Sequence, residues 1–484
     1  MKILLATAEV HPFSKTGGLA DMVSALGKSL AAEGHEVGVI TPLYRGIRER
    51  FPELKQLDYS VATPMNGGWD HAGIATLKFR ENLDVYFVDH PGYYDRPALY
   101  GENNEEYQDN PERFIFFSKA VAHFARYHHW RPDVVHVHDW QAGLVPVLMK
   151  HPAFSEAWHA PKSVLTIHNL AYQGHYERAR SFHLTNLPED VYNPRGIEFH
   201  GGVNCLKAGI VYSDAITTVS PRYAREICTE TYGCGLDDVL RERQNLLTGI
   251  LNGVDYEDWN TTDNEHLNHP YSARARAGKV ANKRDLQEEM GLPVKADVPL
   301  FGVVSRLADQ KGADIVLGAL MEMVASGLQF VLLGSGDPEL ERAFVGLQKK
   351  YPDNVAVNIG FDLGLSHRIE AGCDFFLMPS RFEPCGLNQM YSLRYGTLPI
   401  VRRTGGLDDS VIDPADDIAE ANGIKFNQFS VRALAKAIRK ALILYSHEEL
   451  FDSMRVNGMN ADFSWSRTCQ EYVRVYESVL ERGA

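Results

Sequence analysis

MKILLATAEVHPFSKTGGLADMVSALGKSLAAEGHEVGVIT, residues 1–41, holds the pattern from which the fold follows. A short apolar run opens it, and a glycine pair at positions 17 and 18 follows. Leu19, Met22, Val23, Leu26 and Leu30 then fall on one helical face. Gly34 ends that helix and VGVIT begins a second apolar run. Strand, glycine loop, helix and strand make up the repeating unit of a parallel sheet. The lysine and apolar run at the start also suit a secretory leader. Glu9 and His11 break that run with no small-residue cleavage site, so a first β-strand is the expectation, and with it a cytoplasmic protein.

The same alternation continues along the chain. DVYFVDH, DVVHVHD, SVLTIHN and AITTVS are the later strand candidates of the first half; PLFGVVSR, FVLLGSGD, VAVNIG, DFFLMPS and TLPIV are those of the second. Polar, irregular sequence from Asn252 to Asp297 separates the halves and puts a hinge near LNGVD. At 484 residues the chain exceeds one ordinary core. The expected architecture is α/β: two Rossmann-like domains facing a cleft, with a first domain over 1–251, a second over 252–458 and a last helix over 459–484. Trp465, Cys469, Tyr472, Val473, Tyr476, Val479 and Leu480 recur at three- and four-residue steps and give that last helix one apolar stripe.

Composition narrows the function. A formal charge of −14 argues against a nucleic-acid partner, which needs a basic face. No apolar stretch nears the ~20 residues of a membrane span. Six cysteines, at 205, 228, 234, 373, 385 and 469, show no metal-ligand spacing, so no metal site and no bound cofactor are expected.

In open parallel sheets, ligands sit outside the carboxyl ends of the strands. The segments at those ends are polar and glycine-rich: KTGG, HDWQAG, HNLAYQG, SRLADQKG, GSGD, SRFEPCGL and RTGGLDD. In KTGG, Gly17 and Gly18 let backbone approach a ligand and open a helix whose first N–H groups accept an anion, with Lys15 as a point charge; a glycine turn with a surface lysine is the plainer alternative. RTGGLDD reads the same way, or its arginine merely covers the sheet end. Arg306 and Lys311, five residues apart, suit a grip on one diphosphate. Asp139 either binds sugar hydroxyls or caps the next helix. His168 and Asn169 end a strand, where a histidine is either catalytic or structural. Pro384 and Gly386 fix the loop around Glu383, whose carboxylate suits a sugar or a helix start.

Taken in order, KTGGLAD, YDRP, RPDVVHVHDWQAG, TIHNLAYQG, LNGVD, VSRLADQKG, LLGSGDP, SRFEPCGLNQ, YGTLP and RRTGGLDD resemble the bacterial glycogen synthases and plant starch synthases, over nearly the whole chain. The resemblance implies the two-Rossmann-domain GT-B architecture, with a deep interdomain cleft and a last helix returning to the first domain. It implies ADP-glucose and glycogen, an α-1,4-glucan, as substrates. It also implies roles. Lys15, Thr16, Gly17 and Gly18 meet the diphosphate and glucose, with Glu9 and Asp21 nearby. Asp139, Asn169 and Asn252 belong to the sugar pocket, and His168 is the catalytic histidine. Arg306 and Lys311 stabilise the departing diphosphate, beside the GSGD loop that begins at Gly334. Glu383 is the acid needed for transfer, and Cys385, Gly386, Leu387 and Asn388 line the sugar and phosphate. Tyr94 lies near the nucleotide. Phe361 stands where some members carry tyrosine, which leaves a ring for the adenine but no hydroxyl. Tyr391 stands where more distant relatives carry a second glutamate, which favours the synthase branch.

The resemblance implies retention of configuration through a same-face displacement assisted by the departing phosphate. Three rivals remain open at this point: a transferase using UDP-glucose, a nucleotide-sugar epimerase, and a glucan-binding protein without catalysis.

Overall fold

The computed structural model describes residues 1–102, 105–151 and 160–482. The chain divides into two compact units. The first comprises 1–219, 224–253 and the tail from Trp465; the second comprises 220–223 and 254–464.

Nine strands of the first unit form one sheet: β1 (Lys2–Ala6), β2 (Glu36–Pro42), β3 (Lys55–Met65), β4 (Gly68–Arg80), β5 (Leu83–Asp89), β6 (Val134–His138), β7 (Lys162–Ile167), β8 (Ala215–Thr218) and β9 (Leu247–Gly249). Their order is β9-β8-β7-β6-β1-β2-β5-β4-β3. All pairings from β9 through to β5 are parallel, while β4 and β3 extend the edge as an antiparallel hairpin. Asn66 and Gly67, both at positive φ (49° and 77°), turn that hairpin, as the twist of a tight two-residue connection requires. Its strands alternate buried and exposed residues rather than running apolar, so no strand is read there from apolar runs.

Six strands of the second unit are β10 (Leu300–Val304), β11 (Gln329–Gly334), β12 (Val355–Ile359), β13 (Phe375–Met378), β14 (Leu398–Arg402) and β15 (Ile424–Phe426), parallel throughout in the order β12-β11-β10-β13-β14-β15. All but the edge strand β15 (Ile424, Lys425, Phe426) have apolar side chains on both faces. Phe330, Leu332, Phe375, Leu377 and Ile400 enter one core, and Val331, Leu333, Phe376, Met378 and Val401 the other. Burial on both sides is why these strands read as continuous apolar runs.

Five helices matter below: α1 (Gly18–Ala32), α2 (Ala277–Glu289), α3 (Asn388–Arg394), α4 (Gly405–Ser410) and α5 (Trp465–Glu481). The polar stretch between the halves contains α2, which buries Lys279, Asn282, Lys283 and Gln287 in the second unit. Lys283 reaches Asp374 at 2.7 Å, and Arg455 reaches the same carboxylate at 2.6 Å. A helix that buries one lysine on a carboxylate and another, Lys279, on the Ala371 carbonyl and the Thr397 hydroxyl shows little apolar stripe to read.

Helix α5 lies with the first unit and packs against α1. Gly253 admits it: a Cβ there would stand 2.9 Å from the Trp465 Cα. Tyr476, fully buried, places its hydroxyl 2.8 Å from Nδ1 of His136 in β6. Tyr476→Phe leaves that buried ring nitrogen without a partner, at a cost of ~1–3 kcal/mol. Urea unfolding of the two proteins measures it; equal stability would show that the hydrogen bond holds nothing.

Candidate functional site

In each unit the strand order reverses once, at β1/β6 and at β10/β13, where neighbouring connections leave in opposite directions and open a crevice at the carboxyl ends. Most of the residues singled out from sequence lie on loops at those ends.

After β1, the buried Glu9 organises the KTGG loop. Its carboxylate accepts from the Thr16 amide (2.5 Å), the Thr16 hydroxyl (2.6 Å), the Gly17 amide (3.3 Å) and the Tyr100 hydroxyl (2.7 Å). Two of the amides expected to face an anion are thus held by the protein's own carboxylate. What stays available is the first turn of α1 from Gly18 on, together with Lys15, an exposed ammonium 2.8 Å from Asp21. Around Gly17 the space is open, with no atom within 4 Å of a Cβ built there. Tyr100 gives no motif in the sequence; only the buried carboxylate it serves identifies it.

After β6 comes Asp139, at φ 56° and ψ −167°, a conformation that side-chain-bearing residues seldom adopt. It is held by its own amide, which donates to the Thr166 carbonyl (3.0 Å), and by its carboxylate, which accepts from the His168 amide (2.7 Å). Burial pushes the Asp139 carboxyl up to about 7, against the His168 and Asn169 amides, which favour the ionised form. It does not cap the following turn.

His168 lies with Nε2 3.1 Å from Nδ1 of His138, and burial lowers it to about 3. Burial holds His138 well below its ordinary value and takes His136 down to about 3. The three rings are neutral. Asn169 turns its Oδ1 to the Ala171 amide (3.1 Å). Asn252 is buried, and its Oδ1 has no partner among the described residues, a vacancy that a hydroxyl donor fits.

Tyr94 is a different case. It is wholly buried, its hydroxyl donates to the Arg113 carbonyl (2.9 Å), and its ring meets Tyr44 edge-on. Its hydroxyl and its ring are both engaged by the protein itself.

In the second unit, Lys311 and Glu383 come together from the loops after β10 and β13, Nζ to Oε2 at 2.6 Å. Ser380, which the sequence left unmarked, donates its hydroxyl to the same oxygen at 2.9 Å. Arg306 is exposed and, among the described residues, pairs with no carboxylate, so its fork is open. Gly334 brings the β11 loop against this one: a Cβ there would stand 2.1 Å from the Ser305 carbonyl oxygen. Cys385 is buried, Gly386 adopts φ 72°, and Leu387 leads into α3. Asn388 donates to the Val304 carbonyl (2.8 Å), tying this loop to β10. Phe361, at the carboxyl end of β12, is 87% exposed, with Ile359 and Leu363 exposed beside it.

The second glycine pair is not a second cradle. A Cβ on Gly405 would stand 1.9 Å from the Glu383 carbonyl oxygen, and one on Gly406 2.0 Å from that of Cys385. The Gly406 amide donates to the carbonyls of Glu383 and Pro384 (3.2 and 3.1 Å). Arg403 is paired with Asp416 (2.7 Å) and Asp408 (3.3 Å). RTGGLDD is therefore the support of the Glu383 loop, and its arginine is neutralised.

Residues 2–242 match the family described as starch synthase catalytic domain, and residues 287–458 match glycosyl transferases group 1. The chain is 47% identical over 483 residues to a glycogen synthase of Anaeromyxobacter sp. (strain Fw109-5), covering 99% of each chain. It is 45% identical to a glycogen synthase of Myxococcus xanthus (strain DK1622), covering 99% of this chain and 100% of the relative. Among solved structures, the catalytic domain of starch synthase IV from Arabidopsis thaliana, bound to ADP and acarbose, superposes with a TM-score of 0.87 at 33% identity over 99% of both chains. A sucrose-phosphate synthase from Thermosynechococcus elongatus, at 19% identity and a TM-score of 0.61, shares the fold.

Two outcomes follow from this geometry. The folded Asp139 carboxyl, at about 7, lies above the ~3.9 of an unfolded chain, so the folded state holds a proton that the unfolded state has released between those values. Stability then falls as pH rises through that window, by at most ~1.4 kcal/mol per pH unit from this group. Asp139→Asn, which tolerates positive φ, removes the dependence; urea unfolding from pH 4.5 to 7.5 should show the variant gaining on wild type as pH rises, and parallel curves would refute the assignment. Gly405→Ala, at φ 42° and against the Glu383 carbonyl, should lose at least ~2 kcal/mol of stability together with most activity, whereas Gly17→Ala stays within ~0.5 kcal/mol.

Proposed function

This chain belongs to the glycogen and starch synthase family, and on that footing we propose that it transfers glucose from ADP-glucose to the non-reducing end of an α-1,4-glucan, retaining configuration and using no metal. The GT-B fold and the family are the setting. The observation that carries the reaction is the cluster at the β10/β13 reversal, with Lys311, Glu383 and Ser380 in contact and Arg306 open beside them.

Breaking the bond from the anomeric carbon to ADP leaves negative charge on the diphosphate. Arg306 and Lys311 supply fixed positive charge for it, which needs no reorganisation as the bond lengthens. The acceptor hydroxyl attacks the anomeric carbon on the face that the diphosphate leaves. Its proton passes to a departing phosphate oxygen, so the new glucan bond forms as the old one breaks. Glu383 offsets positive charge developing on the sugar, and its fixed geometry comes from Lys311, Ser380 and the glycine pair behind it.

Asp139, Asn169 and Asn252 hold sugar hydroxyls. His168, neutral, contributes hydrogen bonding and no charge; its amide serves Asp139 and its Nε2 meets His138, which leaves ring Nδ1 for the substrate. Phe361 offers a bare ring face on which adenine stacks.

The experiment is ADP release from ADP-glucose, with and without glycogen, alongside UDP-glucose. Release that depends on glycogen and prefers ADP-glucose supports the reading. Arg306→Ala and Lys311→Ala should each lower turnover ~10²–10³-fold, with an unchanged unfolding midpoint for Arg306→Ala and a lowered one for Lys311→Ala, which takes the ammonium from the buried Glu383. Near wild-type turnover in either would remove that residue from the leaving-group role.

A further inference from the structure

The first unit carries a second cationic site, at the opposite ends of its strands. A cavity of about 370 Å³ is lined by Lys150, Lys162, Ser213, Asp214, Arg243 and Arg482, among others. Lys162 is the first residue of β7, and Asp214 immediately precedes β8. Four cations and one carboxylate meet here in a chain of formal charge −14.

The carboxylate is fully engaged. Lys150 stands 2.7 Å from Asp214, and the Ser163 amide and hydroxyl donate to it at 2.7 and 3.0 Å. Lys162, Arg243 and Arg482 have no carboxylate partner among the described residues. Arg243 donates one N–H to the Ser213 carbonyl (2.5 Å), yet its Nε is buried without an acceptor. The hydroxyl of Ser213, a residue 2% exposed, also has no partner among the described residues. Buried donors without acceptors are rare in folded proteins and ask for an explanation. Surplus positive charge and vacant donors around one cavity describe the complement of an anion with several oxygens.

We propose that this cavity binds a phosphate group, carried on a small phosphomonoester. Arg243 and Ser213 donate to its oxygens, the hydroxyl after rotation about a single bond, and Lys162 and Arg482 offset its charge. The volume lies in the range of small-molecule sites and exceeds what a bare phosphate fills. The site is separate from the catalytic one: β7 runs from Lys162 to Ile167, so His168 stands ~20 Å away at the far end of the strand.

Isothermal titration of the full chain tests this, with inorganic phosphate and with β-glycerophosphate, and chloride at matched ionic strength as control. Saturating ADP is present throughout, so that anions cannot report on the catalytic phosphate positions. One site per chain is expected, tighter for β-glycerophosphate. Equal affinity for the two anions would replace the monoester by free phosphate. Arg243→Gln and Lys162→Gln should each weaken binding at least tenfold, about 1.4 kcal/mol, with turnover and unfolding midpoint unchanged. Lys162→Gln, a change at a strand's first residue, keeps the test valid if the arginine variant fails to fold. No heat beyond the chloride control, or wild-type affinity in Lys162→Gln, would overturn the proposal. So would a binding heat that appears only in a parallel titration without ADP. A failure of the donor reading appears separately, as no ADP release from ADP-glucose.

Discussion

A carboxylate taken out of water at the end of a parallel sheet must be answered by donors, because an unpaired buried charge costs several kcal/mol. Glu9 after β1 and Glu383 after β13 both meet this demand, in different ways. Glu9 gathers loop amides, a threonine hydroxyl and Tyr100. Glu383 takes an ammonium and a serine hydroxyl. In each case the demand of one acid fixes a loop at the place where strand order reverses. The geometry of the strand-end loop in each unit is thus a by-product of satisfying a buried carboxylate.

The two glycine pairs show how the same letters serve different needs. Around Gly17 there is open space, and the absence of a side chain leaves room for a ligand. Gly405 and Gly406 lie against the carbonyls of Glu383 and Cys385, and the absence of side chains there lets one loop of the protein press on another. The first pair leaves its backbone open. The second braces the loop that carries Glu383.

Much of the fold was legible because strands buried on both faces leave unmistakable apolar runs, as in Phe330–Leu333 and Phe375–Met378. Where burial is one-sided or polar, the signal fails. The β3–β4 hairpin alternates polar and apolar residues, and its Asn66–Gly67 turn was the clue available. Helix α2 buries lysines on Asp374 and on backbone carbonyls, so nothing apolar marks it. The meeting of Lys311 with Glu383 was not legible, since 72 residues separate them and the sequence placed each only at a strand end. Ser380 and Tyr100 escaped because a hydroxyl's use is set by the acid beside it.

The neutrality of His168 extends this logic to the chemistry. A row of hydrogen bonds crosses the sheet from Tyr476 of α5 to His136 of β6 (2.8 Å), on to Thr166 of β7 (2.6 Å) and to Thr217 of β8 (2.5 Å). His138 and His168 stand one step nearer the carboxyl ends, ring nitrogen to ring nitrogen at 3.1 Å. Charging either ring would set a cation beside another imidazole, and burial holds all three rings well below their ordinary values. A histidine so placed offers a hydrogen-bonding direction rather than a charge, and its partner His138 packs on His136 (ring centroids 4.2 Å), the ring that Tyr476 of the last helix holds.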